Sequence, residues 1–404
     1  MKRLNKNVIV FICAFCFLIV GFFSRSIAAN LVKDVGRLFI GISQGDENSF
    51  SSFTNSINND STKLLSYHNQ LMDLNSIKDN LLGTKIIKKD GDTVIKTEYG
   101  SLIDNVKLVN LSDIESISER IDMLRNVAET NGANFLYCAA PKKEYYETTQ
   151  ENAKNYFKNN FETLLSKLAE KNIPYIDFSG SYESKLVTDN KYYYTDHHWT
   201  TLTGFNSTKK ICEKLNGLYG FDYREDYVDL VNYNVTNYPD WFLGSSGKKS
   251  GTYFTWNGAD DFDLITPKFD TNLTEEQPIK NEKRSGKFED TVLFMDNMKK
   301  DYYGVNTYTT YSGGDFRLQI MKNNLNPNGK KILLIRDSFA CVVAPFLALQ
   351  TSELHICDMR NYEYYVGEKL NAEEYIKQIK PDYVIVLYSG VTSLEESSGR
   401  YDFF

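Results

Sequence analysis

Cysteine, proline and histidine are scarce in this chain of 404 residues. Of the six cysteines, Cys13 and Cys16 lie in an apolar N-terminal run, and the other four are widely spaced. No CxxC pair or other metal-ligand spacing occurs among them, which argues against a disulfide framework and against a zinc site. We expect Cys138, Cys341 and Cys357 to behave as small core hydrophobes, because each lies in an apolar strand-like or helical run.

Acidic residues are missing from residues 1–29, where basic residues (Lys2, Arg3 and Lys6) precede an apolar run over 8–23. At roughly 16 residues, this run is intermediate between a signal-peptide core and a transmembrane helix. Ser26-Ile27-Ala28 offers a small-x-small cleavage pattern, so a cleaved signal peptide and an uncleaved anchor both remain open, and we favour the anchor. In either case the basic end predicts that the rest of the chain lies outside the cytoplasm.

The chain after residue 29 also has no excess of positive charge. It carries 42 of the 46 Lys and Arg residues and all 53 Asp and Glu residues, a net charge of about −11. That balance argues against nucleic acid and against an anionic lipid surface as partners. Tyrosine and phenylalanine are abundant, which suits both a stable core and surfaces that stack on sugar rings.

The chain is organised as a leader, a linker and one large domain. Residues 30–83 are polar and rich in Asn and Ser, which is typical of a stalk, and they precede a domain predicted over 84–404. At the start of that domain, β-prone runs at 85–88 and 93–98 flank Asp90-Gly91, so we expect a hairpin there.

From residue 112 onward, apolar patterns of helices and strands alternate. Helices are predicted over 112–130, 153–171, 200–215, 339–349 and 372–379, and strands over 135–140, 174–178, 331–335, 354–357 and 383–387. Repeated units of this kind indicate a three-layer α/β/α domain with a mostly parallel sheet covered on both faces. Residues 218–325 interrupt the pattern with turn signals and short aromatic segments, which predicts a β- and loop-rich insertion.

Two of the four histidines are adjacent, in the segment Tyr194–Thr200 (YTDHHWT). Asp196 and His198 are two residues apart, so they lie on one side of an extended segment just before a predicted helix. A carboxylate beside an imidazole fixes its tautomer and stabilises the imidazolium formed when it takes a proton. The alternative is a loop histidine that simply hydrogen-bonds to a nearby acid.

A second candidate is Ser338, in the segment Ile335–Phe339 (IRDSF), between a buried strand and a predicted helix. That position exposes a hydroxyl at the carboxyl edge of a parallel sheet, where ligands of α/β proteins collect. The N-terminus of the following helix favours an oxyanion there. The alternative role for this serine is a helix N-cap.

These motifs resemble the DHHW family, whose signature matches Thr195–Thr200 (TDHHWT). Further matches are APKK at 140–143, YSGGD at 311–315, RDSF at 336–339 and DMRNY at 358–362. The resemblance covers about residues 84–390. The family is similar to the extracytoplasmic alginate O-acetyltransferases, which have an SGNH-hydrolase-like domain, and this implies the same domain here.

The resemblance also implies catalytic roles: Ser338 as nucleophile, His198 as general base and Asp196 as the acid that orients it. His197 stands where the alginate enzymes carry a different residue, so a structural role is expected for it. Arg336 replaces the glycine of the hydrolase Gly-Asp-Ser motif, and no hydrolase oxyanion asparagine can be placed.

Further residues at the sheet edge are candidates for holding an oxyanion or a substrate. Phe339 follows the serine, and the resemblance assigns Arg360 and Tyr388 to positions of polar active-site residues. The alternatives are a salt bridge from Arg360 to Asp358 and core packing for Tyr388. Lys142 and Lys143 also follow a strand, and for this pair we expect a solvated surface position.

These inferences predict an extracytoplasmic O-acyltransferase that modifies a cell-surface polysaccharide or exopolysaccharide through an acyl-serine. No cofactor is implied. The partners implied by the resemblance are the polysaccharide acceptor and a membrane-bound O-acyltransferase that supplies acyl groups. The alternatives are a carbohydrate esterase with the same three residues and a non-catalytic polysaccharide-binding scaffold.

Overall fold

The computed structural model describes residues 33, 37, 68–89, 92–147, 155–181 and 191–404. The chain divides into two compact units, Met1–Asn75 and Ser76–Phe404, and the second contains all the strands discussed below. The predicted N-terminal membrane segment lies outside the described residues. Within the described ranges, no helix combines the length and the apolar character needed to cross a membrane.

The second unit is a mixed α/β fold around a large central sheet of eight strands. Its strands are β4 (Asn134–Ala140), β5 (Tyr175–Asp177), β8 (Leu273–Gln277), β9 (Glu282–Gly286), β10 (Leu318–Asn323), β11 (Lys331–Arg336), β12 (Glu353–Cys357) and β13 (Tyr383–Ser389). The strand order is β5-β4-β13-β11-β12-β10-β8-β9, and the first five strands are parallel. Continuous apolar runs explain the burial of β11 and β13 on both faces.

Helices cover both faces of this sheet. The described helices are α1 (His68–Leu81), α2 (Leu111–Thr130), α3 (Phe157–Glu170), α4 (Thr201–Tyr219), α5 (Ser245–Ser250), α6 (Phe288–Thr291), α7 (Ala344–Ala348) and α8 (Ala372–Ile379). Buried residues of α2, α3 and α8 form one core layer, and those of α4 and α7 form the other. Cys138, Cys341 and Cys357 are buried in these cores, as predicted.

The segment predicted as a loop-rich insertion contributes directly to the central sheet. Its strands β8, β9 and β10 pair antiparallel with one another, and β10 pairs antiparallel with β12. The prediction of a mostly parallel sheet therefore holds only for the first five strands. The same segment holds a long separate hairpin formed by β6 (Tyr233–Phe242) and β7 (Asp260–Pro267).

The prediction of one continuous helix over 339–349 is wrong. The structure has a 3₁₀ turn at Ser338–Val342 followed by the short helix α7. Pro345 explains the break, because proline lacks an N–H donor and is accommodated in the first turn of a helix, where Pro345 lies.

A small sheet precedes the central one. Strands β1 (Ile86–Lys89) and β2 (Asp92–Lys96) pair antiparallel on either side of the predicted hairpin turn, and β3 (Leu102–Asp104) pairs with β2. Lys96 donates a hydrogen bond of 2.8 Å to the side chain of Asn80, and Asn80 is buried. The last turn of α1, within the segment predicted as a linker, is thus part of the second unit.

Candidate active site

Three polar side chains form one hydrogen-bonded row at the carboxyl edge of the parallel strands. Ser338 Oγ lies 2.7 Å from His198 Nε2, and His198 Nδ1 lies 2.5 Å from Asp196 Oδ1. The serine is separated from the histidine by 140 residues of sequence. His198 and Asp196 are buried, whereas Ser338 is partly exposed between buried neighbours. Solvent therefore reaches Ser338 but is largely excluded from His198 and Asp196.

The local sequence around Ser338 leaves its hydroxyl free to face the imidazole. Asp337, not Ser338, caps the 3₁₀ turn, and its Oδ1 accepts a hydrogen bond of 3.0 Å from the Phe339 N–H. Asp337 Oδ2 accepts from the N–H and the hydroxyl of Ser389 at the end of β13. The N-cap alternative for Ser338 is therefore wrong.

A close approach of two elements brings the histidine to the serine. Helix α4 begins three residues after His198, and Gly204 in its first turn faces Val342 in the turn that begins at Ser338. A Cβ on Gly204 would lie 2.1 Å from the Val342 Cγ2, so only glycine permits this packing. Trp199 strengthens the connection, because its indole N–H donates a 2.9 Å hydrogen bond to the Phe339 carbonyl.

The imidazole of His198 lies between two rings. Tyr308 stacks on it with ring centroids 4.1 Å apart and an interplanar angle of 18°, and His197 lies 3.9 Å away. His197 Nδ1 is 3.1 Å from the Ser245 hydroxyl. Burial, and then repulsion from a protonated His198, hold the pKa of His197 well below its usual range. The two rings fix the orientation of His198.

Asp196 is held as a carboxylate. Burial alone favours its neutral form, but the charges of His197 and His198, with hydrogen bonds from His198 and from the Ser245 N–H, outweigh this and hold the pKa of Asp196 well below its usual range. Gly244 allows the contact, since a Cβ there would lie 2.1 Å from the Asp196 Cβ.

Two buried charges fix the backbone just before Asp196. Asp260 accepts hydrogen bonds from the N–H groups of Tyr194 and Thr195 and from the Thr195 hydroxyl. The Lys143 ammonium donates to the carbonyls of Tyr193 and Tyr194, at 2.9 and 3.0 Å. Lys143 is fully buried, so the prediction of a solvated lysine pair is wrong for it: the carbonyls of this loop provide acceptors inside the protein.

Arg360 is engaged in a buried ion-pair network beside the row. Its guanidinium contacts Asp358 at 2.5 Å and Asp315 at 2.9 Å, and donates to the Tyr362 hydroxyl. Arg336 also pairs with Asp315, which joins this network to the strand that precedes Ser338. The salt bridge left open for Arg360 in the sequence is therefore present, and the guanidinium is occupied by Asp358, Asp315 and Tyr362.

The other two predicted oxyanion or substrate-binding residues also have partners elsewhere. The Tyr388 hydroxyl donates a 2.7 Å hydrogen bond to the Arg400 carbonyl, and its ring packs in the core layer of α2 and α3. The Phe339 ring is fully buried, 5.1 Å from the ring of His198, in the opposite core layer. Tyr388 thus takes the core-packing alternative, and Phe339 supports the imidazole from within the core.

Asp196, His197 and His198 are the described residues that come close enough together to hold a metal ion. The spacing between their ligand atoms argues against one. Asp196 Oδ1 and His198 Nδ1 are in direct hydrogen-bond contact at 2.5 Å, whereas two tetrahedral ligands of one zinc ion lie roughly 3.3 Å apart. His198 Nε2 faces the Ser338 hydroxyl. The arrangement fits proton transfer between these groups.

Sequence patterns missed two supporting residues, Tyr308 and Asp260. Each lies in the segment predicted as an insertion, and Asp260 contacts a residue 65 positions away. Asp315 falls within a motif that the family resemblance covers, but its pairing with Arg336 and Arg360 depends on the fold.

Neither a protein-family model nor a curated protein sequence matches this chain. Several solved structures are similar to it at low sequence identity. A DHHW family protein from Eubacterium siraeum shares 18% identity, with a TM-score of 0.56 over 78% of this chain and 94% of that one. Bacillus cereus PatB1, solved with a sulfonyl adduct, shares 19% identity, with a TM-score of 0.61 over 79% of this chain and 99% of that one.

The O-acetyltransferase domain of Pseudomonas putida AlgJ is also among the similar structures, at 12% identity and a TM-score of 0.43, over 73% of this chain and 90% of that one. A similarity that distant supports no argument about residues. The DHHW family protein and PatB1 establish the fold: this chain is a mixed α/β protein with a large central sheet, similar to both of them.

Proposed function

We propose that this protein is an extracytoplasmic serine O-acyltransferase that transfers acyl groups, most simply acetyl, to a polysaccharide. The observation that carries the proposal is the row of Ser338, His198 and Asp196, with contacts of 2.7 and 2.5 Å. This is the spacing at which a serine is activated by a histidine that a carboxylate orients.

In the first half-reaction, Ser338 Oγ attacks the carbonyl carbon of an acyl ester while His198 Nε2 takes the hydroxyl proton. The ionised Asp196 accepts the Nδ1–H hydrogen bond and stabilises the imidazolium. When the tetrahedral intermediate collapses, the bond to the donor's oxygen breaks and His198 returns the proton to that leaving group. The product is an acyl-serine ester.

In the second half-reaction, a sugar hydroxyl replaces the leaving group. His198 takes its proton as the sugar oxygen attacks the acyl-serine carbonyl, and the imidazolium then returns that proton to Ser338 Oγ. The acyl group thus moves from donor to serine to sugar with no change in oxidation state. Because Arg360 and Tyr388 have other partners, backbone N–H groups around Ser338 are the proposed oxyanion donors.

The comparisons support this proposal at the level of the fold. PatB1 has been solved with a sulfonyl adduct, and sulfonyl reagents modify nucleophilic side chains. The same class of reagent is therefore a suitable probe for the hydroxyl of Ser338, which is partly exposed.

The cellular setting comes from the N-terminal sequence. A basic end followed by an apolar run predicts that the catalytic unit lies outside the cytoplasm, where acetyl-coenzyme A is not expected. The acyl group must then be delivered across the membrane, which is why we propose a membrane-bound O-acyltransferase as the partner.

Transfer and hydrolysis are separated by supplying a donor with and without an acceptor. The purified protein is incubated with an aryl acetate, alone and with an oligosaccharide, and acetate and acetylated sugar are both quantified. An acyltransferase gives acetylated sugar at the expense of free acetate. Acetate alone at every acceptor concentration would instead identify an esterase.

The polysaccharide itself provides the test in cells. Cells that lack the protein should lose O-acyl groups from this polysaccharide, and the wild-type gene should restore them. Ser338→Ala should not, because without the hydroxyl no acyl-serine forms. Full restoration by Ser338→Ala would favour the non-catalytic scaffold.

A further inference from the structure

Three tyrosines after strand β12 form a compact aromatic surface, which we call the tyrosine platform (Tyr362, Tyr364 and Tyr365). Tyr364 stacks on Tyr362 with centroids 5.2 Å apart and an interplanar angle of 16°, and contacts Tyr365 edge-on at 5.0 Å. Tyr364 is 67% exposed. Adjoining exposed aromatic rings, unlike single exposed side chains, mark a candidate binding surface.

The two inner tyrosines are anchored and the outer one is not. The Tyr362 hydroxyl accepts a 2.9 Å hydrogen bond from Arg360, and its ring lies 4.8 Å from that guanidinium. The Tyr365 hydroxyl donates to Asp358 at 2.7 Å. The buried ion-pair network beside Ser338 therefore holds the platform in place and presents Tyr364 as a prearranged stacking face.

A cavity of about 150 Å³ opens beside the platform, lined by Gln277, Asp315, Phe316, Arg317 and Tyr364 among others. Gln277 is only 3% exposed, yet its Oε1 has no hydrogen-bond partner among the residues that the structure describes. The buried Nε of Arg317 likewise lacks an acceptor in that part of the chain. Both residues line the cavity, so each side chain keeps unused hydrogen-bonding capacity next to it.

The cavity lies on the same edge of the sheet as Ser338. Gln277 ends β8 and Leu318 begins β10, and both strands are antiparallel to their neighbours, so these ends meet the carboxyl ends of β11 and β12. Two to three strand spacings separate the cavity from β11, which is roughly 10–14 Å. A short oligosaccharide spans that distance, whereas a single sugar ring does not.

We propose that the tyrosine platform and its cavity form a binding subsite for one sugar ring of the acceptor polysaccharide, remote from the ring that is acylated. The proposal rests on the proposed function and specifies how the acceptor is bound. The C–H face of the ring packs on Tyr364, and its hydroxyls donate to Gln277 Oε1 and Asp315 and accept from Arg317. Aromatic faces with a few polar groups are the usual composition of such pockets.

This subsite makes the enzyme selective for acceptor length. A fragment long enough to contact both the platform and Ser338 gains the stacking energy, and a shorter one does not. Asp315 lines the cavity and also pairs with Arg336 and Arg360 in the network behind Ser338. A sugar bound in the cavity is therefore connected to Ser338 through these ion pairs.

The test measures binding in a protein that cannot react. The organism's own surface polysaccharide is de-O-acylated with base and cut into fragments of defined length, and each fragment is titrated calorimetrically into the full chain carrying Ser338→Ala. Tyr364→Ala and Tyr364→Phe are then added to that background. Tyr99→Ala is the matched control, because Tyr99 is also 67% exposed and lies in the turn between β2 and β3.

Longer fragments should bind more tightly than short ones, and Tyr364→Ala should weaken the longer ones about tenfold, the effect of losing one aromatic stacking contact. Tyr364→Phe should stay within about twofold, because it keeps the ring. Affinity equal to that of Tyr99→Ala, or no binding of any fragment, would overturn the subsite. If Tyr364→Ala weakens binding as expected but the protein with Ser338 intact transfers no acyl group to the same fragments, the proposed function alone is refuted.

Discussion

Gly244 lies against Asp196 with no room for a side chain, so replacing it with alanine tests whether Asp196 must stay where it is. The Cβ of an alanine would lie 2.1 Å from the Asp196 Cβ, 2.5 Å from its Cα and 2.6 Å from its Oδ2. The backbone of Gly244 has a φ of −73°, which alanine adopts without strain, so any effect comes from the contact. Asp196 or the start of α5 must move.

The size of the effect follows from these distances. Overpacking a buried position costs about 1–3 kcal/mol, and three contacts inside van der Waals distance place Gly244→Ala at the upper end. A shift of about 1 Å in the carboxylate would lengthen its hydrogen bond to His198, and misplacement on that scale lowers activity roughly 100-fold. We therefore expect both a lower unfolding temperature and a loss of ester hydrolysis.

The assay compares two glycine-to-alanine variants by thermal unfolding and by hydrolysis of an aryl acetate. Gly217 is the control, because it lies within helix α4 and a Cβ there has no heavy atom within 4 Å. Gly217→Ala should raise stability by about 0.5–1 kcal/mol, since alanine is the better helix former, and leave hydrolysis unchanged. A Gly244→Ala protein as stable and as active as Gly217→Ala would refute the account of Asp196.

Three further predictions concern the histidines, the buried lysine and acid stability. His198→Ala should abolish aryl acetate hydrolysis, about 10⁴-fold or more, whereas His197→Ala should retain much of it; the opposite ranking would reverse the two roles. Lys143→Met should lower the free energy of unfolding, measured by denaturant titration, by about 2–4 kcal/mol, because two buried carbonyls lose their donor. Lys142→Met should change it by less than about 0.5 kcal/mol, and equal effects of the two variants would contradict this. The pKa of Asp196 is lower in the folded protein than in the unfolded chain, so its contribution to stability is present above about pH 4 and is lost as the pH falls further. Asp196→Asn should therefore flatten the decrease in the free energy of unfolding below about pH 4. An unchanged decrease would show that Asp196 is not held as a carboxylate.

Sequence patterns were sufficient where apolar periodicity is strong. The run at Lys331–Arg336 and the helix at Ala372–Ile379 are found where the pattern predicts them, since burial on both faces, or on one helix face, leaves a clear periodicity. Strands β8 (LTEEQ) and β9 (EKRSG) are polar, so no such pattern marks them. Their place in the sheet depends on pairing with β10, which is distant in sequence.

The site was predictable to the same extent. The spacing of Asp196 and His198 and the position of Ser338 after a buried strand mark the two candidates locally. That they meet across 140 residues was expected from the family resemblance. The burial of Lys143 was not predictable, since it requires the carbonyls of Tyr193 and Tyr194, some 50 residues further along the chain. The pairing of Arg360 with Asp315 depends in the same way on two segments that are distant in sequence.

The central claim is that Ser338 carries the acyl group. The most direct measurement is mass spectrometry of the intact protein, quenched in acid shortly after mixing with an aryl acetate, followed by peptide mapping. The account predicts an added mass of one acetyl group on the peptide that contains Ser338, absent from Ser338→Ala and chased by an oligosaccharide acceptor. An acetyl group on another residue, or none under conditions where the aryl acetate is turned over, would contradict it.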